Sequence, residues 1–187
     1  MKSTAEISGW TDEELVKEIV KTRDSVLFAE LYDRFAAIVY NKCLGFAKSK
    51  EEAEDLTHDI FIKMFVKLNT YQGKSKFSTW LYSFTYNYCV NYLQRNSYKK
   101  NEEVSNVGEN GETVDDITDE DILQLKAKRL KGALELIDPN DKMILLLKYQ
   151  DELSIKEIQS ALEIGESAVK MRLKRAKEKV MEAYKKV

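Results

Sequence analysis

Pro139 is the only proline in 187 residues, and only seven glycines accompany it. Both residues break helices, so long stretches free of both favour helical folding. Apolar residues recur at three- and four-residue spacing along most of the chain, and no strand-like alternation is present. Hydrophobic residues make up 43% and charged residues 33%, enough apolar side chain for a core and too much for wholesale disorder. The expected fold is therefore all-α, with a length suited to one ordinary domain or two small ones.

The helices can be placed by their caps and stripes. "TDEELVKEIV" opens with a capping box in which Thr11 caps the helix and Glu14 reaches back, followed by Leu15, Ile19 and Val20. A second helix is expected from about Ser25 to Ala47, with Phe28, Leu31, Tyr32, Phe35, Ile38, Val39 and Cys43 inward. "SKEEAEDLTHDIFIKMFVKL" starts a third, with Ser49 as cap and Glu52 as its box partner. Its apolar line is Leu56, Ile60, Met64 and Leu68, widened by Phe61 and Phe65. "NTYQGKSKFS" reads as a polar loop with Gly73 at its tip, and a fourth helix follows from about Thr79 to Asn96.

The pattern then fails. "NEEVSNVGENGETVDDITDED" is acidic and almost free of large apolar residues, which marks an extended linker. Helical spacing returns near Ile122 and runs to Ile137. "DPND" restarts a helix with Asp138 as cap and Pro139 at the first helical position. Two small helical domains, residues 1–98 and 123–187, joined by an acidic linker at 99–122, are the expected organisation.

Charge follows the same division. The net charge of −2 conceals −5 over residues 1–59, +7 over 60–100, −9 over 101–122 and +5 over 123–187. Two basic blocks separated by an acidic strip suggest two polyanion-binding surfaces and a tether.

"SIKEIQSALEIGESAVKMRLKRAKEKV", residues 154–180, carries the second basic block. Ser154 and Glu157 form a capping box. Ile155, Ile158 and Leu162 stripe one helix, and Val169, Leu173, Ala176 and Val180 stripe the next. Ile164 plugs the corner and Gly165 starts the second helix. Such a pair is either a packing hairpin of a bundle or a helix-turn-helix. The cations weigh for the latter: Lys170, Arg172, Lys174, Arg175, Lys177 and Lys179 face a single acid, Glu178. Ser167, Met171 and Lys174 lie opposite the apolar stripe with Arg175 beside them, flanked by Lys170, Lys177 and Arg172, where a helix in the major groove meets bases and phosphates. Glu166 is either an acceptor for a cytosine amine or an acid that suits the helix dipole.

The first basic block is aromatic. Tyr71, Phe77, Trp80, Tyr82, Phe84, Tyr86, Tyr88, Tyr92 and Tyr98 interleave with Lys74, Lys76, Arg95, Lys99 and Lys100. Rings among cations suit unstacked single-stranded bases. Trp80, Phe84 and Phe77 are expected in the core, while Tyr71 and the loop lysines are harder to bury.

Other functions find little support. His58 is the sole histidine, and Cys43 and Cys89 fall within apolar helical patterns, so two buried thiols are expected, with neither a disulfide nor a metal centre. No Gly-rich phosphate loop or nucleophile motif is present, so no enzyme and no cofactor are expected. No apolar run reaches membrane-spanning length, and "MKSTAEISGW" has no signal core, which points to the cytoplasm.

Three stretches in this order resemble the extracytoplasmic-function (ECF) group of bacterial RNA polymerase sigma factors: "AEDLTHDIFIKMF", "YQGKSKFSTWLYSFTYNYCVNYLQR" and "LELIDPNDKMILLLKYQDELSIKEIQSALEIGESAVKMRLKRA". The resemblance implies a factor without catalysis of its own that binds core RNA polymerase, through the β′ coiled coil and the β flap, and directs promoter-specific initiation. It implies that Asp55, His58 and Asp59 meet the β′ coiled coil. It implies that the loop Tyr71 to Ser78, with Lys74 and Lys76, takes a flipped base of the −10 element, and that Asn87, Asn91, Tyr92 and Arg95 face promoter DNA there. Glu166, Ser167, Lys170, Met171, Lys174 and Arg175 then read the −35 element, the acidic linker threads the polymerase channel, and an anti-sigma factor is a plausible partner.

Some positions depart from the family pattern. His58 stands where glutamine is usual, Glu163 where the turn has glycine, Gly165 where a serine-type cap is usual, and Gln159 where a small residue is usual. Glu163 should give the hairpin different backbone angles. A competing reading, a stand-alone helix-turn-helix regulator whose residues 1–100 form an effector domain, lacks an obvious dimerisation helix.

Overall fold

The computed structural model describes residue 7, residues 9–100 and residues 127–187. Among these residues every regular element is helical. The chain divides into two compact units, Met1–Asn91 and Tyr92–Val187. Most of the expected linker, 101–122, and the helix start expected near Ile122 lie outside the described residues.

The first unit contains α1 (Asp12–Thr22), α2 (Ser25–Leu44), α3 (Lys50–Lys67), a 3-10 turn (Leu68–Thr70) and α4 (Phe77–Lys100) as far as Asn91, where the division between the units falls within the helix. α1 starts on the expected capping box: Thr11 Oγ1 accepts from Glu14 N–H, and Glu14 accepts from Thr11 N–H at 2.8 Å. These bonds hold the Glu14 carboxyl below its ordinary value. Asp24 caps α2 through Val26 N–H. Ser49 caps α3 at Glu52 N–H, but Glu52 accepts from Lys48 N–H, one residue before the cap. The expected box is thus stretched by one position.

Two arginines fasten α1 at both ends. Arg34, on α2, donates to the Trp10 and Ile7 carbonyls and pairs with Asp12 at 3.0 Å and Glu30 at 2.9 Å. Arg23 leaves α1 in the left-handed region at φ 54° and donates to the Phe65 carbonyl at the end of α3. Leu56, Ile60, Met64 and Leu68 are buried as the spacing predicts. The fourth helix begins at Phe77, two residues earlier than expected, and its backbone continues through Lys100. Phe77 is fully buried, whereas Trp80 and Phe84 are only half-buried and stack at 5.2 Å. Ile38, expected inside, is 36% exposed.

Lys42 is buried near the C-terminal end of α2. Its ammonium lies 3.9 Å from the centroid of Tyr82 and 4.9 Å from that of Tyr86, and it donates to the Tyr86 hydroxyl. Ring faces supply attraction that partly replaces lost hydration. Cys43 and Cys89 are both buried free thiols, with Sγ atoms 3.9 Å apart. The contact with Cys89 lowers the Cys43 thiol below its ordinary value.

The second unit comprises α5 (Ala127–Leu136), α6 (Pro139–Leu145), a five-residue π turn (Leu146–Gln150), α7 (Ile155–Leu162) and α8 (Glu166–Lys186). Asp138 caps α6 through Asn140 N–H, with Pro139 at the first turn. Ser154 and Glu157 complete their capping box. α8 packs on α5, α6 and α7, burying Val169, Leu173, Ala176 and Val180. On α7 only Ile158 is fully buried, while Ile155 and Leu162 lie at the margin.

Glu163 corrects an expectation. It ends α7 at φ 54°, ψ 38°, the left-handed turn that glycine ordinarily makes. An L-residue thus takes a glycine-type turn, and the strain falls on the backbone at Glu163 itself. Gly165 caps α8 without any side-chain hydrogen bond.

Candidate nucleic-acid interface

The α7–α8 hairpin presents α8 with one face inward and one outward. The buried stripe at three- and four-residue spacing leaves Ser167, Lys170, Met171, Lys174 and Arg175 exposed, with Met171 at 53%. Arg172 is exposed beside them. Glu166 sits at the helix start, where its charge suits the dipole, and pairs with Lys170 at 2.6 Å. That pair holds the Glu166 carboxyl below its ordinary value. Lys179 has a structural role instead: it meets Asp141 of α6 at 2.8 Å and ties α8 to its neighbour. The exposed cations of the N-terminal half of α8 are Lys170, Arg172, Lys174 and Arg175, with Lys170 paired to Glu166.

In the first unit, the loop after α3 holds the other candidate residues. Gly73 turns it at φ 69°, and nothing lies within 4 Å of where a Cβ would sit, so glycine serves the backbone angle here. Lys74 and Lys76 are exposed. Tyr71 is half-buried: its hydroxyl donates to the Ser75 carbonyl at 2.6 Å, and its ring meets Phe77 and Trp80 edge-on and tilted. Burial, then the charge of Glu13, raises the Tyr71 hydroxyl above its ordinary value. Tyr71 thus closes the loop on itself and lines a cavity of about 570 Å³.

Along α4, Asn87, Asn91 and Arg95 are exposed at four-residue intervals, and Tyr92 is half-buried. Asn87 donates to Ser83 Oγ at 3.3 Å.

Asp55, His58 and Asp59 are exposed on α3. Asp59 accepts a 2.9 Å hydrogen bond from the Tyr88 hydroxyl of α4, and Lys63 lies over the Tyr88 ring at 5.2 Å. Ile62 and Val66, both 66% exposed, continue the edge that Asp55 and Asp59 begin. The sequence reasoning missed these two. Their signal was available: they fall seven and eleven positions after Asp55, off the buried line of Leu56, Ile60 and Met64. Apolar side chains this exposed mark a contact surface when they join a polar edge.

Among the described residues no helix is long and apolar enough to cross a membrane, and no group of three or more His, Cys, Asp or Glu side chains could hold a metal ion.

Comparison with known proteins matches both units separately. Residues 31–98 match the Sigma-70 region 2 family, and residues 127–180 match the Sigma-70 region 4 family. The ECF RNA polymerase sigma factor SigW of Bacillus subtilis (strain 168) is 31% identical over 170 residues, covering 85% of this chain and 89% of that protein. The ECF RNA polymerase sigma-E factor of Escherichia coli (strain K12) is 27% identical over 179 residues, covering 91% and 92%. Among solved structures, CnrH in complex with the cytosolic domain of CnrY shares the fold at a TM-score of 0.60 and 17% identity, covering 91% of this chain and 94% of that one. The sigma factor RpoE of Bartonella quintana, in complex with the anti-sigma factor NepR, does so at 0.59 and 16%, covering 84% and 96%. With both regions present in order and a relative above 30% identity across most of its length, the chain belongs to the ECF group of RNA polymerase sigma factors.

Proposed function

We propose that the protein binds core RNA polymerase and directs promoter-specific transcription initiation, acting in the cytoplasm and without catalysis of its own. Residues 1–98 serve as the unit that meets polymerase and the −10 element, 99–122 as a connector, and 123–187 as the unit that meets the −35 element. The observation that carries this reading is α8: its apolar stripe is buried while Ser167, Lys170, Met171, Lys174 and Arg175 stand outward at the start of the helix. Four cations and one acid, Glu166, on the exposed first three turns give that face the net positive charge a polyanion requires.

The residues take distinct roles. Lys170, Lys174 and Arg175 neutralise phosphates and approach base edges in the major groove, with Ser167, Met171 and Glu166 beside them. The loop carrying Tyr71, Lys74 and Lys76 holds an unstacked base of the −10 element and helps melt it, and Asn87, Asn91, Tyr92 and Arg95 hold the strand along α4. Asp55, His58 and Asp59, extended by Ile62 and Val66, dock on the β′ coiled coil, while the second unit meets the β flap. Membership in the ECF group makes an anti-sigma protein a further partner.

The test is a run-off transcription assay with purified core polymerase on a library of genomic fragments. Selective transcription that depends on added protein is the expected result. Failure to bind core polymerase overturns the reading.

A further inference from the structure

Between α1 and the loop 71–76 lies the cavity of about 570 Å³, and much of its lining comes from α1: Glu13, Val16, Lys17 and Val20 face Tyr71, Gly73 and Lys76. Glu13 does more than line it. Its Oε1 accepts a 2.9 Å hydrogen bond from the backbone N–H of Phe77, the first residue of α4, 64 positions away in sequence. A carboxylate accepting from the first turn of a helix makes a charge-assisted bond aligned with the helix dipole. The loop ends at that point, so Glu13 fixes the loop's exit, while the 3-10 turn packed on α1 fixes its start. α1 itself is held by Arg34 at one end and Arg23 at the other.

We propose that α1 is a working part of base capture: Glu13 is the positioning residue that sets the loop through Phe77 N–H, and Val16, Lys17 and Val20 form the far wall of the cavity that receives an unstacked promoter base. The proposal rests on the reading that loop 71–76 takes such a base. The cavity falls within the size range of small-molecule sites, about 300–1,000 Å³. Its chemistry suits a nucleotide. Val20, backed by buried Val16, offers an apolar surface, Tyr71 offers an aromatic ring, and the exposed Lys17 and Lys76 offer cations for the flanking phosphates. Base preference at the captured position then depends on a helix that lies far from the loop in sequence.

The test uses the full-length protein bound to core polymerase. Holoenzyme is selected on a promoter-bubble library randomised through the −10 region, and the base preference at each position is read by sequencing. Glu13→Ala is expected to flatten preference at one position by about tenfold while affinity for core polymerase stays as in the parent. Glu13→Gln, whose amide oxygen still accepts from Phe77 N–H, is expected to restore most of it. Val20→Phe, which fills the cavity and leaves the Glu13 bond intact, is expected to flatten the same position. A parental profile for both Glu13→Ala and Val20→Phe, with Tyr71→Ala flattened, overturns the role of α1 and leaves the loop reading standing. A parental profile for Tyr71→Ala, Lys74→Ala and Lys76→Ala as well overturns both.

Discussion

The Tyr88 hydroxyl on α4 donates a 2.9 Å hydrogen bond to Asp59 Oδ2 on α3, so the helix proposed to follow the −10 strand is tied to the edge proposed to dock on polymerase. Lys63 packs over the same ring at 5.2 Å. A double-mutant cycle with Tyr88→Phe and Asp59→Ala measures the tie. Each single change should cost about 0.5–1.5 kcal/mol in urea unfolding, the usual net worth of such a bond, and the double change should cost less than their sum. Strict additivity would show that the bond contributes nothing to the fold.

The exposed edge of α3 makes a separable prediction. Ile62 and Val66 contribute little to the core, being two-thirds exposed, so truncating them should leave stability within about 0.5 kcal/mol. Asp55→Ala and Ile62→Ala should each weaken core polymerase binding by about 1–2 kcal/mol, in the range of a central interface residue. Fluorescence anisotropy of the labelled protein titrated with core enzyme reads both values. Unchanged affinity in both variants would move the docking surface elsewhere.

Local rules made much of this fold legible. Caps at Thr11, Ser154 and Asp138 act over two or three residues, and the stripe Val169, Leu173, Ala176 and Val180 follows from helical spacing alone. The outward basic face of α8 was its complement and could be read with it. What was missed depends on how helices approach one another. The Glu13 bond to Phe77, the Arg34 and Arg23 clamps and the Tyr88–Asp59 tie span dozens of positions, and no periodicity signals them. The aromatics of α4 show the same limit. Phe77 is enclosed as expected, but only packing decided that Trp80 and Phe84 stay half open. Glu163 failed for the opposite reason: residue preference argued against a left-handed turn, and the α7 cap adopts one all the same, with the Glu163 N–H bonded to the Gln159 carbonyl.

At the start of α8, Glu166 pairs with Lys170, one of the residues proposed to meet DNA. Their 2.6 Å pair must open or be shared when Lys170 meets a phosphate. Glu166→Gln should therefore strengthen duplex binding across sequences, whereas Lys174→Ala should weaken use of promoters that carry an upstream element and spare those without one. Lys174→Ala should also reduce the log–log salt slope by about one. The pH dependence has a definite sign. Because the folded state lowers the Glu166 pKa, its contribution to the helix start is present above the ordinary value of 4.5 and fades as pH falls through the lowered one. Acid titration of helicity should lose part of this step in Glu166→Gln. Equal duplex affinity in the parent and Glu166→Gln would mean that Lys170 does not reach phosphate.

Glu163 offers a test of strain in the recognition hairpin. An L-residue in the left-handed region costs roughly 1–2 kcal/mol, and glycine avoids that cost while giving up about 0.5–1 kcal/mol of chain entropy. Glu163 is exposed and ends α7 through its own N–H to the Gln159 carbonyl, a bond that glycine keeps. Glu163→Gly should therefore raise stability modestly, by up to about 1 kcal/mol, and Glu163→Ala should not. Thermal and urea unfolding of the full chain, followed by far-ultraviolet circular dichroism, measure the difference. If Glu163→Gly lowers stability, the turn is held by contacts of the glutamate side chain, and the left-handed angle is a consequence of those contacts instead of a cost imposed on them.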